Sequence, residues 1–110
     1  MYYRRNQRHF RNRTTIVQGV VKQHPSYIVG EEGNNYLSFG ITHKNKKGKR
    51  HYNHQLRRNP NPYDSTPSYI RKQVESSSKR LFSRRRIDSY RMSPEDDSYI
   101  DSLLQRRRRN

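Results

Sequence analysis

The sequence predicts a small, mostly β domain that ends in one helix. Three runs rich in β-branched and aromatic residues lie between residues 14 and 42. Short turn sequences separate them, which favours antiparallel strands in a small sheet or barrel. The last part of the chain combines capping residues with apolar residues at helical spacing. The length of 110 residues and the hydrophobic fraction of 27% allow one compact domain with a small core.

The first three predicted strands follow one another closely. The first covers residues 14–21, where β-branched residues dominate and Gly19 indicates a bulge or a tight bend. Pro25 cannot donate a hydrogen bond to a neighbouring strand, so it marks the edge or the start of the second strand, residues 26–29. A turn rich in Gly and Asn follows, and the third strand covers residues 36–42.

Polar segments define the expected domain boundaries. Residues 1–13 contain five arginines and no apolar periodicity, which predicts a flexible basic arm. The domain itself is expected to span residues 14–105, and a basic tail to cover residues 106–110.

The second half of the chain alternates between loops and short elements. A basic turn over residues 44–50 precedes a short strand within residues 51–56. Two prolines break any regular element over residues 59–64, because the residue before each proline is restricted to extended geometry. A strand covers residues 68–74, and the basic segment after it, up to residue 86, is expected to be a linker.

The terminal helix has a clear beginning. Ser93 is the expected N-cap and Pro94 the first helical residue. Three acidic residues then favour the positive end of the helix dipole: Glu95, Asp96 and Asp97. An apolar stripe at helical spacing is expected to pack on the sheet, and it consists of Ile100, Leu103 and Leu104.

The charge of the chain indicates an anionic partner. Lys and Arg number 25 against 9 Asp and Glu, so the net charge is +16. Nucleic acid, an anionic membrane surface and an acidic protein are the candidates, and the abundance of Arg and Tyr favours nucleic acid. No apolar run approaches the ~20 residues of a membrane span. The absence of Cys excludes disulfides and thiolate metal sites and predicts a cytoplasmic protein.

Two segments carry a resemblance to a known family: Gln23-His24-Pro25-Ser26-Tyr27-Ile28-Val29 and, after a turn, Leu37-Ser38-Phe39-Gly40-Ile41-Thr42. They resemble the signature of MazF/PemK-type endoribonuclease toxins, in which an Arg-Pro pair opens one strand and an Ile/Leu-Thr pair ends another. The later order is similar as well, in Asp64-Ser65, Gln73-Val74, Lys79-Arg80-Leu81 and the acidic helix from Ser93 to Leu104. The basic turn resembles the related ToxN branch, and the likeness covers residues 14–105.

The resemblance implies a small SH3-like antiparallel barrel with a C-terminal helix, that is, a mostly β member of the α+β class. It also implies a homodimer that cleaves single-stranded RNA without a metal or cofactor, and a partner in the form of an acidic antitoxin. The functional threonine of the family falls on Thr42. The functional arginine is replaced by His24, so either His24 takes over the acid/base role or only the fold survives.

The chemistry of RNA cleavage points to the same part of the chain. The 2′-OH attacks the adjacent phosphate, which requires a base, an acid and cations, and the ordinary pKa of His suits both proton-transfer roles. We therefore expect His24, Thr42 and His43 at the scissile phosphate. The residues expected to hold the RNA are Lys44, Lys46, Lys47, Lys49, Arg50, His51, His54 and, for base stacking, Tyr63. A metal site formed by the histidines is disfavoured by the neighbouring cations.

Two alternatives remain open. The chain can be a non-catalytic nucleic-acid-binding protein of a phage or mobile element, which needs the cations but not the histidines. It can also be a basic inhibitor that binds a host enzyme. Binding that weakens steeply with salt and occurs without strand scission identifies the first alternative.

Overall fold

The structure, a computed structural model, describes residues 1–43 and 53–108. Within these residues the strands are β1 (His9–Val17), β2 (Val20–Glu32), β3 (Asn35–Thr42), β4 (Asn53–Gln55), β5 (Tyr69–Arg71) and β6 (Glu75–Ser78). Helix α1 covers Pro94–Arg108, and two short 3₁₀ helices cover Arg5–Gln7 and Lys79–Leu81. No helix in the described part of the chain is long and apolar enough to cross a membrane.

The strands form an antiparallel sheet in the order β1-β2-β3-β5-β4, and β6 also pairs with β3. The first half of β3 pairs with β6, and its last two residues, Ile41 and Thr42, pair with β5. The expected mostly β fold with a C-terminal helix is therefore confirmed. The sheet does not close into a barrel, because β2 is the one described strand that pairs with β1. The segment after β6 meets β1 at an isolated bridge, Arg13 with Phe82, and through separate backbone hydrogen bonds.

The strand predicted over residues 14–21 is in fact a hairpin. Residues Gln18 and Gly19 have φ angles of 50° and 77°, and they form a two-residue turn between β1 and β2. Two consecutive positive φ angles match the twist of a tight hairpin. The expected tight bend at Gly19 is present. Pro25 lies inside β2, opposite Asn12, at the point where β2 begins to pair with β3.

In place of a flexible arm, residues 1–13 form the first 3₁₀ helix and the first half of β1. Phe10 is buried, and its ring lies 4.6 Å from that of Tyr27. Arg8 binds two carboxylates of α1. Arg8 is therefore tolerated next to the core because Asp97 and Asp101 of the helix supply its counter-charges, and the buried ring of Phe10 anchors the start of β1.

The two faces of the sheet differ in character. The face toward α1 holds the apolar core, formed by Phe10, Tyr27, Val29, Leu37, Phe39, Ile41, Leu56 and Ile70 with Ile100 and Leu104 of the helix. The opposite face buries Ile28 and small polar residues, including Ser26, Ser38 and Ser77. The expected helix stripe packs on the sheet, with Leu103 partly buried beside it.

The start of α1 follows the capping prediction. The Ser93 hydroxyl accepts a hydrogen bond from the backbone N–H of Asp96 at 3.2 Å and donates one to the Asp96 carboxylate at 2.8 Å. Asp96 is buried, and the backbone N–H of Arg57 donates to both of its carboxylate oxygens, each at 3.1 Å. The N-terminal turn of the helix is thereby fixed to the loop after β4.

Candidate nucleic-acid interface

His24 and Thr42 lie at the same end of one sheet face. His24 is opposite Arg13 of β1, and residues directly opposite in an antiparallel pair share a face. Ser26 and Gly40 form the last residue pair between β2 and β3 at this end of the sheet. His24 and Thr42 each lie two residues beyond that pair, and residues two apart in a strand point to the same face of the sheet. An Arg13–Glu75 ion pair of 2.5 Å lies across the same face. His24 is exposed and Thr42 is half-buried.

The other predicted histidines are placed differently. His43 is exposed in the bend after β3. His54 lies opposite the buried Ile70, on the helix side of the sheet, and stacks on Tyr99 of α1 with ring centroids 3.7 Å apart. Burial lowers the pKa of His54. The structure therefore separates His54 from the face that carries His24 and Thr42.

The remaining predicted binding residues fall into two groups. Tyr63 is 89% exposed in the loop between β4 and β5, so its ring is accessible for stacking on a base. The other group lies outside the described residues and consists of Lys44, Lys46, Lys47, Lys49, Arg50 and His51. Within the described ranges no three His, Cys, Asp or Glu side chains cluster as a metal site would require.

A cleft that the sequence did not predict lies between the start of β1, the segment before α1 and the first turns of the helix. Its volume is about 360 Å³. We call it the cationic cleft, and its charged and aromatic lining consists of Arg5, Arg8, His9, Phe10, Tyr27, Arg86, Asp88, Tyr90, Arg91 and Asp97. Arg91 is exposed, and its guanidinium donates to the backbone carbonyls of Asp88 and Tyr90, which leave its charge uncompensated.

The floor of the cationic cleft is a partly buried ion network. The Arg8 side chain is 4% exposed and binds Asp97 at 3.1 Å and Asp101 at 2.5 Å. Asp101 also accepts from Arg5 at 2.6 Å, and the Tyr27 hydroxyl donates to Asp97 at 2.7 Å. Burial, together with this bond, raises the pKa of Tyr27. The network uses Arg8 to hold the strand against the helix, so Arg8 is not available for a ligand.

His9 is a neutral positioning residue in this region. Its Nδ1 bonds to the carbonyl oxygen of Gln7 at 3.0 Å, and its Nε2 accepts from the Arg11 side chain at 3.0 Å. Burial lowers the pKa of His9, and the charges of Arg86 and Arg11 lower it further. Because both ring nitrogens are engaged, His9 orients Arg11 rather than serving as a free base.

Residues 82–87 run along the outer edge of β1. The backbone N–H of Ser83 donates to the Asn12 carbonyl at 2.8 Å, and that of Ile87 donates to the Phe10 carbonyl at 2.7 Å. Arg11 donates to the carbonyls of Ser83 and Arg84 from the strand side, at 3.0 and 2.8 Å. The three residues between the two backbone bonds are exposed arginines: Arg84, Arg85 and Arg86. The sequence showed this run as a basic linker, and its position beside the cleft depends on the fold.

The ion pairs of the described side chains divide the cations into two sets. Four carboxylates, Glu31, Glu75, Asp97 and Asp101, pair with five cations whose side chains range from 4% to 62% exposed: Arg5, Arg8, Arg13, Arg71 and Lys79. In contrast, the structure gives no ion pair to the described run of arginines at residues 84–86. This run, together with Arg91 of the cationic cleft, is therefore positive charge that is available to a partner.

Comparison with protein-family models finds no matching family, and comparisons with curated proteins and with solved structures find no match either. The functional interpretation therefore depends on the geometry and charge of the chain itself.

Proposed function

We propose that the protein binds RNA, and that the cationic cleft and the arginines beside it hold the RNA backbone. The observation that carries the proposal is an exposed, unneutralised run, Arg84 to Arg86, beside a cleft of about 360 Å³. Ligand sites commonly have volumes of roughly 300–1,000 Å³, and the volume of this cleft lies within that range. The planar guanidinium group suits phosphate, and Tyr90 adds an aromatic wall.

The choice of RNA over DNA comes from the resemblance to endoribonuclease toxins. The cleft itself recognises the phosphates, which both nucleic acids share, and the aromatic wall tolerates any base. Single strands are favoured because their bases are free to stack on side chains.

Salt dependence is the direct measure of this binding mode. Each phosphate contact on a single strand lowers the slope of log affinity against log salt by about 0.7. Contacts from Arg84, Arg85, Arg86 and Arg91 together should contribute about −2.8 to the slope. Fluorescence anisotropy with labelled RNA and DNA oligonucleotides of one sequence, titrated at several salt concentrations, measures this slope.

A matched pair of variants locates the interface. The variant R85Q/R86Q removes two charges beside the cleft, and R57Q/R58Q removes two exposed, consecutive charges from the loop after β4. We expect R85Q/R86Q to reduce the steepness of the slope by about 1.4, and R57Q/R58Q to change it far less. Equal effects of the two variants would contradict an interface at the cleft, and no RNA binding by the wild-type protein would contradict the proposal altogether.

Cleavage of the bound RNA is the second candidate, and it is supported by the placement of His24, Thr42 and Arg13 on one face at the same sheet end. In this mechanism His24 removes the proton of the 2′-OH, which attacks the phosphorus. His43, in the bend after Thr42, protonates the leaving 5′-oxygen. Thr42 donates to a phosphate oxygen, and cations stabilise the additional charge of the transition state.

Incubation with single-stranded RNA in EDTA, with a DNA control, tests cleavage. We expect the wild type to cut RNA and the variants H24A, H43A and T42A to lose most of this activity. If the wild-type protein leaves the RNA intact, cleavage is contradicted and the protein is a non-catalytic RNA-binding protein. Weak binding of RNA and DNA combined with a tight protein partner in a pull-down supports the basic inhibitor instead.

A further inference from the structure

The β1–β2 hairpin extends beyond the rest of the sheet. Residues 13–24, which we call the hairpin arm, pair across the two strands around the turn at Gln18 and Gly19. Pairing of β2 with β3 begins only at Ser26. Apart from the bridge between Arg13 and Phe82, the structure gives the arm no further strand partner among the described residues. The arm is thus a two-stranded ribbon that projects from the domain.

The tip of the hairpin arm is aliphatic on both faces. Ile16 and Val21 are opposite each other on one face, and Val17 and Val20 on the other. Their exposed fractions are 70% and 64% for the first pair and 51% and 54% for the second. A ribbon that only joined two strands of the sheet would place polar residues at such positions. These four side chains take no part in the apolar core, so they are available to a partner.

Charge identifies the kind of partner. The arm carries Arg13, Lys22 and His24 below its tip, and the first 30 residues of the chain contain no Asp or Glu. A second copy of a chain with net charge +16 would bring like charges together around the tip. An anionic membrane would attract the cations, but the tip lacks the Trp and Tyr residues that are enriched at lipid interfaces. A polyanion with accessible apolar surfaces satisfies both features of the arm.

We propose that the hairpin arm inserts its aliphatic tip among unpaired bases of RNA, while Lys22 and His24 contact the flanking phosphates. This inference rests on the proposed RNA binding and specifies the RNA as single strands or loops. Base faces are apolar and are accessible to side chains only where the bases are unstacked. In a continuous A-form duplex the bases remain stacked, and the deep, narrow major groove excludes the ribbon side chains.

Two tip variants test the inference with little risk to folding. The variants V17T/V20T and I16T/V21T replace aliphatic with polar groups, and Thr keeps the β-branched shape that strands favour. K22Q is the matched control, because it removes a charge from the same arm and leaves the tip intact. Circular dichroism and the thermal midpoint confirm that each variant is folded.

The binding assays use an RNA hairpin that carries 2-aminopurine in its loop and a fully paired duplex. We expect wild-type protein to bind the hairpin RNA more tightly and to raise its fluorescence as the base unstacks. Each tip variant should bind the loop roughly tenfold more weakly, without the fluorescence change and with an unchanged salt slope. K22Q should reduce the steepness of the slope by about 0.7 and keep the fluorescence change.

The outcomes separate the inference from the proposed function. If R85Q/R86Q weakens RNA binding but the tip variants do not, RNA binding stands and the role of the arm is overturned. Binding of phosphatidylserine vesicles that depends on the tip, with no effect of the tip on RNA, would identify a membrane surface instead. Dimerisation in sedimentation runs that the tip variants abolish would identify a second copy.

Discussion

Replacement of Arg8 by Met tests whether the ion network holds the N-terminal segment on the helix. Met keeps the aliphatic stem but removes the guanidinium, which is 4% exposed. In R8M the Tyr27 hydroxyl is the one side-chain hydrogen-bond donor that the described residues still give to Asp97. The Asp97 side chain is 13% exposed. Asp101 retains Arg5 and is 33% exposed, so most of the cost falls on Asp97.

The expected loss follows from this geometry. Removal of one partner from a buried ion pair costs about 3–5 kcal/mol, because the remaining charge is buried without compensation. Because Asp97 and Asp101 each retain a hydrogen bond, we expect R8M to lower the free energy of unfolding by about 3 kcal/mol, the lower end of this range. At about 4 °C for each kcal/mol in a domain of this size, the thermal midpoint should fall by about 12 °C.

Urea unfolding followed by far-ultraviolet circular dichroism and tyrosine fluorescence measures the change. R58M is the control, since Arg58 is exposed, and it should alter the free energy of unfolding by less than about 0.5 kcal/mol. The double variant R8M/D97N should recover part of the loss because it removes the unpaired charge as well. A loss of less than about 1 kcal/mol for R8M would show that the network contributes no more than a surface ion pair.

Two further predictions concern the same segment. Partial burial opposes ionisation of Asp101, but hydrogen bonds from Arg8 and Arg5 prevail and lower its pKa below the usual 3.8. The unfolded chain therefore takes up this proton first, and stability should fall more steeply for the wild type than for D101N between about pH 4 and pH 2. In G30A the new Cβ would lie 2.4 Å from the Met1 carbonyl oxygen. The amides of Tyr3 and Glu31 should then lose protection in hydrogen exchange, whereas G40A, whose Cβ has a nearest contact of 3.9 Å, should leave it unchanged.

Local signals predicted the elements that local interactions form. The cap at Ser93 and the apolar stripe of α1 were correct because a helix satisfies its first N–H groups and its packing within a few residues. The third strand was placed at residues 36–42 and lies at Asn35–Thr42, because its alternate residues must face the core. The hairpin at Gln18 was missed because β-branched residues continue on both sides of the turn.

Distant contacts account for what the sequence did not predict. Arg8 is separated from Asp97 and Asp101 by 89 and 93 residues, so nothing near residues 1–13 indicates that the segment is ordered. The arginines at residues 84–86 lie more than 70 residues from the β1 edge that they follow. The composition shows only that the chain has an excess of arginines. The fold is needed to distinguish the arginines that stabilise the structure from those that are available to a ligand.

The position of residues 82–87 joins the two proposed RNA contacts into one surface. This segment runs from Arg13, at the base of the hairpin arm, to Phe10, beside the cationic cleft. At about 3.3 Å per residue, the tip at Val17 lies about 23 Å along β1 from Phe10. One RNA strand that covers this length engages both contacts, and the second contact then forms at a high effective concentration.

We therefore expect V17T/V20T to weaken binding of a long oligonucleotide but not of a dinucleotide that competes for the cleft. A dinucleotide that loses affinity to the same extent would show that the tip acts on the cleft itself and not on a distant part of the RNA.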